Sequence, residues 1–116
     1  MKSLQKITTQ NAEHYKWGDN CDGWHFLKTN SLGVIRERMP AATREQLHFH
    51  KMSKQLFYIL SGKARFEIGG EEIFVSTGES LYIGPGIVHK ISNETKYELE
   101  FLVISEPPSH SDRHNI

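Results

Sequence analysis

Between Trp24 and Ile104 apolar and polar residues alternate in short runs, and no window carries the i, i+3, i+4, i+7 stripe of an amphipathic helix. This pattern predicts an all-β chain. In Lys63–Ile68 the residues Ala64, Phe66 and Ile68 share one face while Lys63, Arg65 and Glu67 share the other, the two-residue period of a strand with one wet side. Tyr97–Phe101 alternates likewise, but Leu102–Ile104 is apolar on both faces, which predicts a covered strand central to its sheet. Turn residues separate the runs at Asn30-Ser31, Ser61-Gly62, Gly69-Gly70, Thr77-Gly78, Gly84-Pro85-Gly86 and Asn93-Glu94-Thr95. Gly69-Gly70 reads as a tight hairpin, since glycine reaches the positive φ angles such turns demand. About eight to ten short strands at this spacing predict a sandwich or barrel.

The ends differ from the middle. Residues 1–23 are expected to form an N-terminal arm with one edge strand at Leu4–Thr8, residues 24–104 the β-barrel, and residues 105–116, with Pro107-Pro108 and no apolar period, a C-terminal tail. Arms of this kind cover edge strands or reach a second subunit, and a homodimer is the expected assembly. The length of 116 residues fits one domain.

Composition removes several function classes. Lys+Arg 14 balances Asp+Glu 14 for a formal net charge of +0, so nothing resembles the basic footprint of a nucleic-acid binder. The longest apolar runs, Leu56–Leu60 and Phe101–Ile104, are far shorter than a membrane span. Met1–Gln10 has no apolar stretch of the secretory kind, and Cys21 is the single cysteine. A cytoplasmic location without an intramolecular disulfide is expected.

The candidate chemistry lies in histidines. His48 and His50 stand two apart in Gln46-Leu47-His48-Phe49-His50, so on a strand both imidazoles leave one face and Phe49 the other. Gln55 opens the next apolar run, and His89 follows the turn Gly84-Pro85-Gly86, with Asn93 four positions on. Three imidazoles and an amide oxygen suit a divalent transition ion such as zinc, iron, nickel, manganese, cobalt or copper. An H-x-H pair alone is a weak signal, since partly exposed histidines are common in β proteins.

The two parts occur in order, with glycines at turn positions, and there the chain resembles a single-domain cupin of the small RmlC-like kind. The family's first motif is matched at His48, His50 and Gly62, with Ala42 where it has glycine and Gln55 where it has glutamate. Its second motif is matched at Gly78, Gly86, His89 and Asn93, with Gly84 where it has proline and Pro85 one position later. The resemblance implies a jelly-roll β-barrel whose motif residues His48, His50, Gln55 and His89 meet a metal in the interior. Gln55 is read either as a ligand through its neutral oxygen or as a hydrogen-bond partner of His48 or His50.

Parity with Gln55 would put Phe57 and Ile59 on the inner face as an apolar wall. Arg36 and Arg38 are read either as inward groups for an anionic substrate or as part of a solvated charge cluster with Glu37. Tyr82 is either a hydroxyl donor to a ligand or a packing tyrosine. Tyr15, Trp17, Trp24 and Phe26 read as core or subunit contact, and His25 as a histidine near the pocket, on the surface or in the core. Cys21 is expected in a polar loop, and His110 and His114 in the tail. The expected function is a metal-binding cupin that presents its ion to a small-molecule ligand. The resemblance implies a dioxygenase or isomerase if the protein is an enzyme, with a non-catalytic binding module as the alternative. A metal-free structural barrel is the third reading.

Overall fold

The computed structural model describes residues 4–116. Twelve strands and one short 3-10 turn, η1 (His110–Asp112), account for its regular structure. The strands are β1 (Glu13–Trp17), β2 (Cys21–Lys28), β3 (Gly33–Met39), β4 (Thr43–Arg44), β5 (His48–His50), β6 (Lys54–Ser61), β7 (Lys63–Ile68), β8 (Glu71–Ser76), β9 (Ser80–Ile83), β10 (His89–Asn93), β11 (Leu99–Glu106) and β12 (Arg113–Asn115). They form two antiparallel sheets, one in the order β1-β2-β3-β11-β6-β9 and the other β12-β5-β10-β7-β8, with β4 also paired to β10. The fold class is the all-β jelly-roll barrel. β11 lies between β3 and β6, central in its sheet as expected, but only one of its faces is covered: Leu102 and Ile104 on the outer face are half-buried. Gly69 (φ 54°) and Gly70 (φ 86°) form the two-residue turn between β7 and β8.

Inward-facing residues of both sheets make one core, in which Met39, Ile59, Ala64, Phe66, Leu99 and Phe101 have no exposed surface. The inner rows change character along their length. On β6 the sequence Ile59, Phe57, Gln55 runs from apolar to polar, and on β11 Phe101, Val103, Ser105 does the same. One end of the barrel is therefore a packed core and the other a polar site.

Both chain ends differ from expectation. Leu4–Thr8 has no strand, and the N-terminal strand forms instead at Glu13–Trp17, where it pairs with β2 over five residues. Cys21 is not in a loop: it opens β2 and is fully buried. The C-terminal segment supplies β12, paired residue by residue with β5 (Arg113↔His50, His114↔Phe49, Asn115↔His48). Asp112 accepts hydrogen bonds from the backbone N–H groups of Lys51 (3.1 Å), Met52 (2.8 Å) and Ser53 (2.9 Å). Such pairing leaves no apolar period, because it is made by backbone bonds, the Asp112 carboxylate, the Arg113–Glu45 ion pair and the stacking of His114 on Phe49. No helix among the described residues is long and apolar enough to cross a membrane.

Candidate metal centre

Register brings the histidines together. His89 of β10 lies directly opposite His48 of β5, and cross-strand neighbours on one face stand within side-chain contact. His50, two residues along, shares that face. One ring nitrogen from each of His48, His50 and His89 can be chosen so that all three atoms lie within 4.8 Å of one another. All three residues are buried. The turn before β10 is tied to β5 by the backbone N–H of Gly86, which donates to the carbonyl of His50 at 2.6 Å.

Two rings are fixed by backbone carbonyls. His48 Nδ1 lies 2.8 Å from the Gln46 carbonyl and His89 Nδ1 lies 2.9 Å from the Ile87 carbonyl. An Nδ1–H that donates there leaves Nε2 with a free lone pair, the tautomer a metal requires. Burial is the main cause that lowers the His48 pKa to about 3 and that of His50 to about 4, and it depresses His89 as well. The rings are neutral at pH 7.

Gln55 is buried on the inner face of β6 beside Ser105 of β11, and its amide nitrogen donates to Ser105 Oγ at 3.1 Å. Its amide oxygen Oε1 and the Nε2 of His89 are buried with no hydrogen-bond partner among the described residues. An unpartnered buried acceptor is costly, and two of them, one on His89 itself, with the neutral rings of His48 and His50 fit a cation. Asn93 behaves differently. Its amide donates to the carbonyls of Met39, Pro40 and Tyr97 and accepts from Thr95, so it ties the loop after β10 to the end of β3.

A cavity of about 480 Å³ opens above this cluster. Phe57 lines it, whereas Ile59 lies deeper, in the core. The remaining pocket residues read from the sequence lie elsewhere. On β3 the buried Ile35 and Met39 set the inward parity, so Arg36 and Arg38 face out. Arg36 pairs with Glu100 (2.7 Å), and Arg38 pairs with Asp22 (2.6 Å) and Glu98 (2.9 Å). Tyr82 is exposed on β9, opposite in parity to the buried Ile83. His25 stacks near Tyr15 and His110 and lines a separate small crevice rather than the main cavity.

Inward parity on β3 delivers Glu37 instead, and the cavity lining also includes Tyr15, Trp17, Arg44, Glu45, His110 and Arg113. Tyr15, Gly23 and Glu37 stand in register across β1, β2 and β3. A Cβ on Gly23 would sit 2.2 Å from Tyr15 Cζ. The absent side chain is what lets the tyrosine ring cross β2, and its hydroxyl donates to Glu37 Oε2 at 3.0 Å. Burial raises the Glu37 pKa to about 8, with the charge of Glu45 adding to the effect, and burial raises that of Glu45 to about 7 despite Arg113 at 3.5 Å. A signal for Glu37 was present in the chain: it sits midway between two apolar residues of the same parity. Tyr15 needed the register of three strands, and Arg113 the pairing of β12.

The cupin domain family matches residues 35–105 of the chain. An uncharacterized protein of Methanocaldococcus jannaschii is 36% identical over 75 residues, 64% of this chain and 60% of that protein. The oxalate-binding protein of Thermotoga maritima is 29% identical over 69 residues, 60% of this chain and 57% of its own length. The matched segment thus spans less than two thirds of either relative. Among solved structures, an RmlC-like cupin from Shewanella frigidimarina superposes with a TM-score of 0.81 at 14% identity, covering 94% of this chain and 96% of that one.

Proposed function

This chain belongs to the cupin family, and from that premise we propose that it holds a divalent transition metal on His48, His50, His89 and Gln55 and offers it to a small organic molecule. The observation that carries this reading is the pair of orphaned buried acceptors, His89 Nε2 and Gln55 Oε1, beside two further neutral imidazoles. When bound, such an ion supplies Lewis-acid polarisation of a ligand oxygen. The chain's own part is to keep the rings neutral, to fix two of them through Gln46 and Ile87, and to wall the cavity with Phe57, Val103 and Ile35. The ligand set is uncharged, so the ion keeps its full charge toward the cavity.

Dioxygenation and isomerisation are the reactions this arrangement would serve. A second reading, a non-catalytic binding module, is favoured by Gln55, which cannot act as a base, and by the relative named for binding oxalate. A cytoplasmic homodimer remains part of the proposal. On the outer face of the first sheet Tyr82, Leu56, Ile104 and Val34 form one continuous cross-strand row, with Tyr58 and Leu102 beside it, a surface two copies could share.

Elemental analysis of tag-free protein tests the metal reading. About one equivalent of a transition metal, or its recovery on reconstitution, is expected; less than about a tenth with no recovery would overturn it. Oxygen uptake by the iron(II)-loaded protein with diketones, thiols and catechols separates dioxygenase from binder.

A further inference from the structure

The cavity wall has a charge pattern that metal binding does not use. The chain has five arginines, Arg36, Arg38, Arg44, Arg65 and Arg113. Four of them lie within 4.0 Å of a carboxylate: Arg36 by Glu100, Arg38 by Asp22 and Glu98, Arg65 by Glu67, Glu72 and Glu94, and Arg113 by Glu45. Arg44 has no ion pair among the described residues, and it lines the cavity. It sits on β4, held by the pairing of Arg44 with Ser92 of β10, the strand that carries His89.

The two carboxyl groups on the same wall do not offset it. Glu45 is engaged by Arg113 and by the backbone N–H of Ile91 at 3.0 Å. Glu37 forms no ion pair among the described residues; the Tyr15 hydroxyl reaches it over Gly23, and the more distant charge of Arg113 only partly offsets its burial. A half-buried carboxyl group without an ion-pair partner is favoured as the neutral acid, consistent with its pKa of about 8. As a neutral acid it is a hydrogen-bond donor, and it does not repel an anion. Glu37 thus stands on the cavity wall beside Ile35, with its carboxyl group held toward the cavity by the Tyr15 hydroxyl.

We propose that the cavity takes a small organic anion, whose carboxylate or phosphate group is gripped by Arg44 and whose body reaches the Tyr15–Glu37 pair. A guanidinium offers two parallel N–H groups to either anion, which favours a bidentate contact. The neutral Glu37 donates to an oxygen of the bound molecule while the Tyr15 hydroxyl keeps its other oxygen in place. This deepens the metal-cupin reading by naming the ligand class. It rests on that reading only for the end of the ligand that would meet the ion.

Calorimetric titration at pH 7 of the full chain, once zinc-loaded and once metal-free, tests it. The probes are oxalate, malonate, succinate and glutarate, their diamides, and phosphoglycolate. At least one anion is expected to bind, with its diamide at least tenfold weaker; the dicarboxylate and phosphoglycolate arms identify which anionic group is preferred. Arg44→Gln is expected to weaken binding tenfold or more and Arg44→Lys to retain most of it. Glu37→Gln, which keeps a neutral donor, should stay within about threefold of the parent, while Glu37→Leu should lose about tenfold. No binding by any anion in either form, equal binding of anion and diamide, or unchanged binding by Arg44→Gln overturns the proposal. Zinc content is measured on every sample. A chain that takes no metal yet binds an anion through Arg44 overturns the metal reading alone, and a metal-loaded chain indifferent to Arg44 overturns this one alone.

Discussion

Replacing Glu37 by glutamine should change the pH dependence of stability in a way that no surface carboxylate would. In the folded protein the Glu37 carboxyl titrates near pH 8, against an ordinary value of 4.5. The folded state therefore holds a proton that the unfolded chain releases, and stability falls as pH rises from about 4.5 toward 8. Each pH unit in that window is worth about 1.36 kcal/mol, which gives a ceiling of about 5 kcal/mol across it. The cavity opens to water and Glu37 is not sealed from it, so about 2–4 kcal/mol is the expected loss. Glutamine keeps the shape and a donor to the cavity but cannot ionise. The two proteins should be about equally stable near pH 5, with Glu37→Gln the more stable by that margin at pH 9. Glu45 titrates in both proteins, so their difference reports Glu37 together with its coupling to Glu45. Urea unfolding of chelator-treated protein at half-unit steps from pH 5 to 9.5 measures it, chelation being needed because a divalent ion would favour the charged carboxylates. Stability curves that run parallel across the range would refute the burial argument.

Three further outcomes follow from particular contacts. Ala42, which stands where the family has glycine, has φ 61°, a region that costs a non-glycine residue roughly 1–2 kcal/mol; Ala42→Gly, after the entropy glycine adds to the unfolded chain, should raise stability by about 0.5–1 kcal/mol, measured as a small rise in Tm, and a lower Tm would contradict it. Asp112→Ala removes the acceptor for three N–H groups in the loop between His50 and Gln55; metal titration should show weaker zinc binding, and unchanged affinity would mean that the C-terminal segment does not position the site. Light scattering should give twice the 13.4 kDa chain mass, with Leu56→Arg shifting it toward monomer; a monomeric parent would remove the sheet face as an interface.

The fold was legible because its signals are local. Alternation in Lys63–Ile68, the Gly69-Gly70 turn and the doubly apolar end of β11 each need only neighbouring residues to be read. The His48, His50 and His89 cluster was legible for a different reason: the H-x-H parity places two rings on one face, and the spacing of the turn before His89 carries the family resemblance. What escaped was long-range register. Arg36 and Arg38 read either as inward groups or as a solvated charge cluster, and the structure decides for the second, with Ile35 and Met39 buried and Glu37 turned in. Tyr15 reaches Glu37 only because Gly23 stands between them in three paired strands. The last twelve residues look like a tail because they attach through backbone bonds to β5, Asp112, the Arg113–Glu45 ion pair and the stacking of His114 on Phe49, which leave no hydrophobic period.

The most direct test of the account is an anomalous difference map from a crystal of the zinc-loaded protein. The account requires one strong peak at about 2.0–2.2 Å from a ring nitrogen of each of His48, His50 and His89 and from Gln55 Oε1. A peak elsewhere, or density at the cluster explained by a water hydrogen-bonded to the rings, would contradict it.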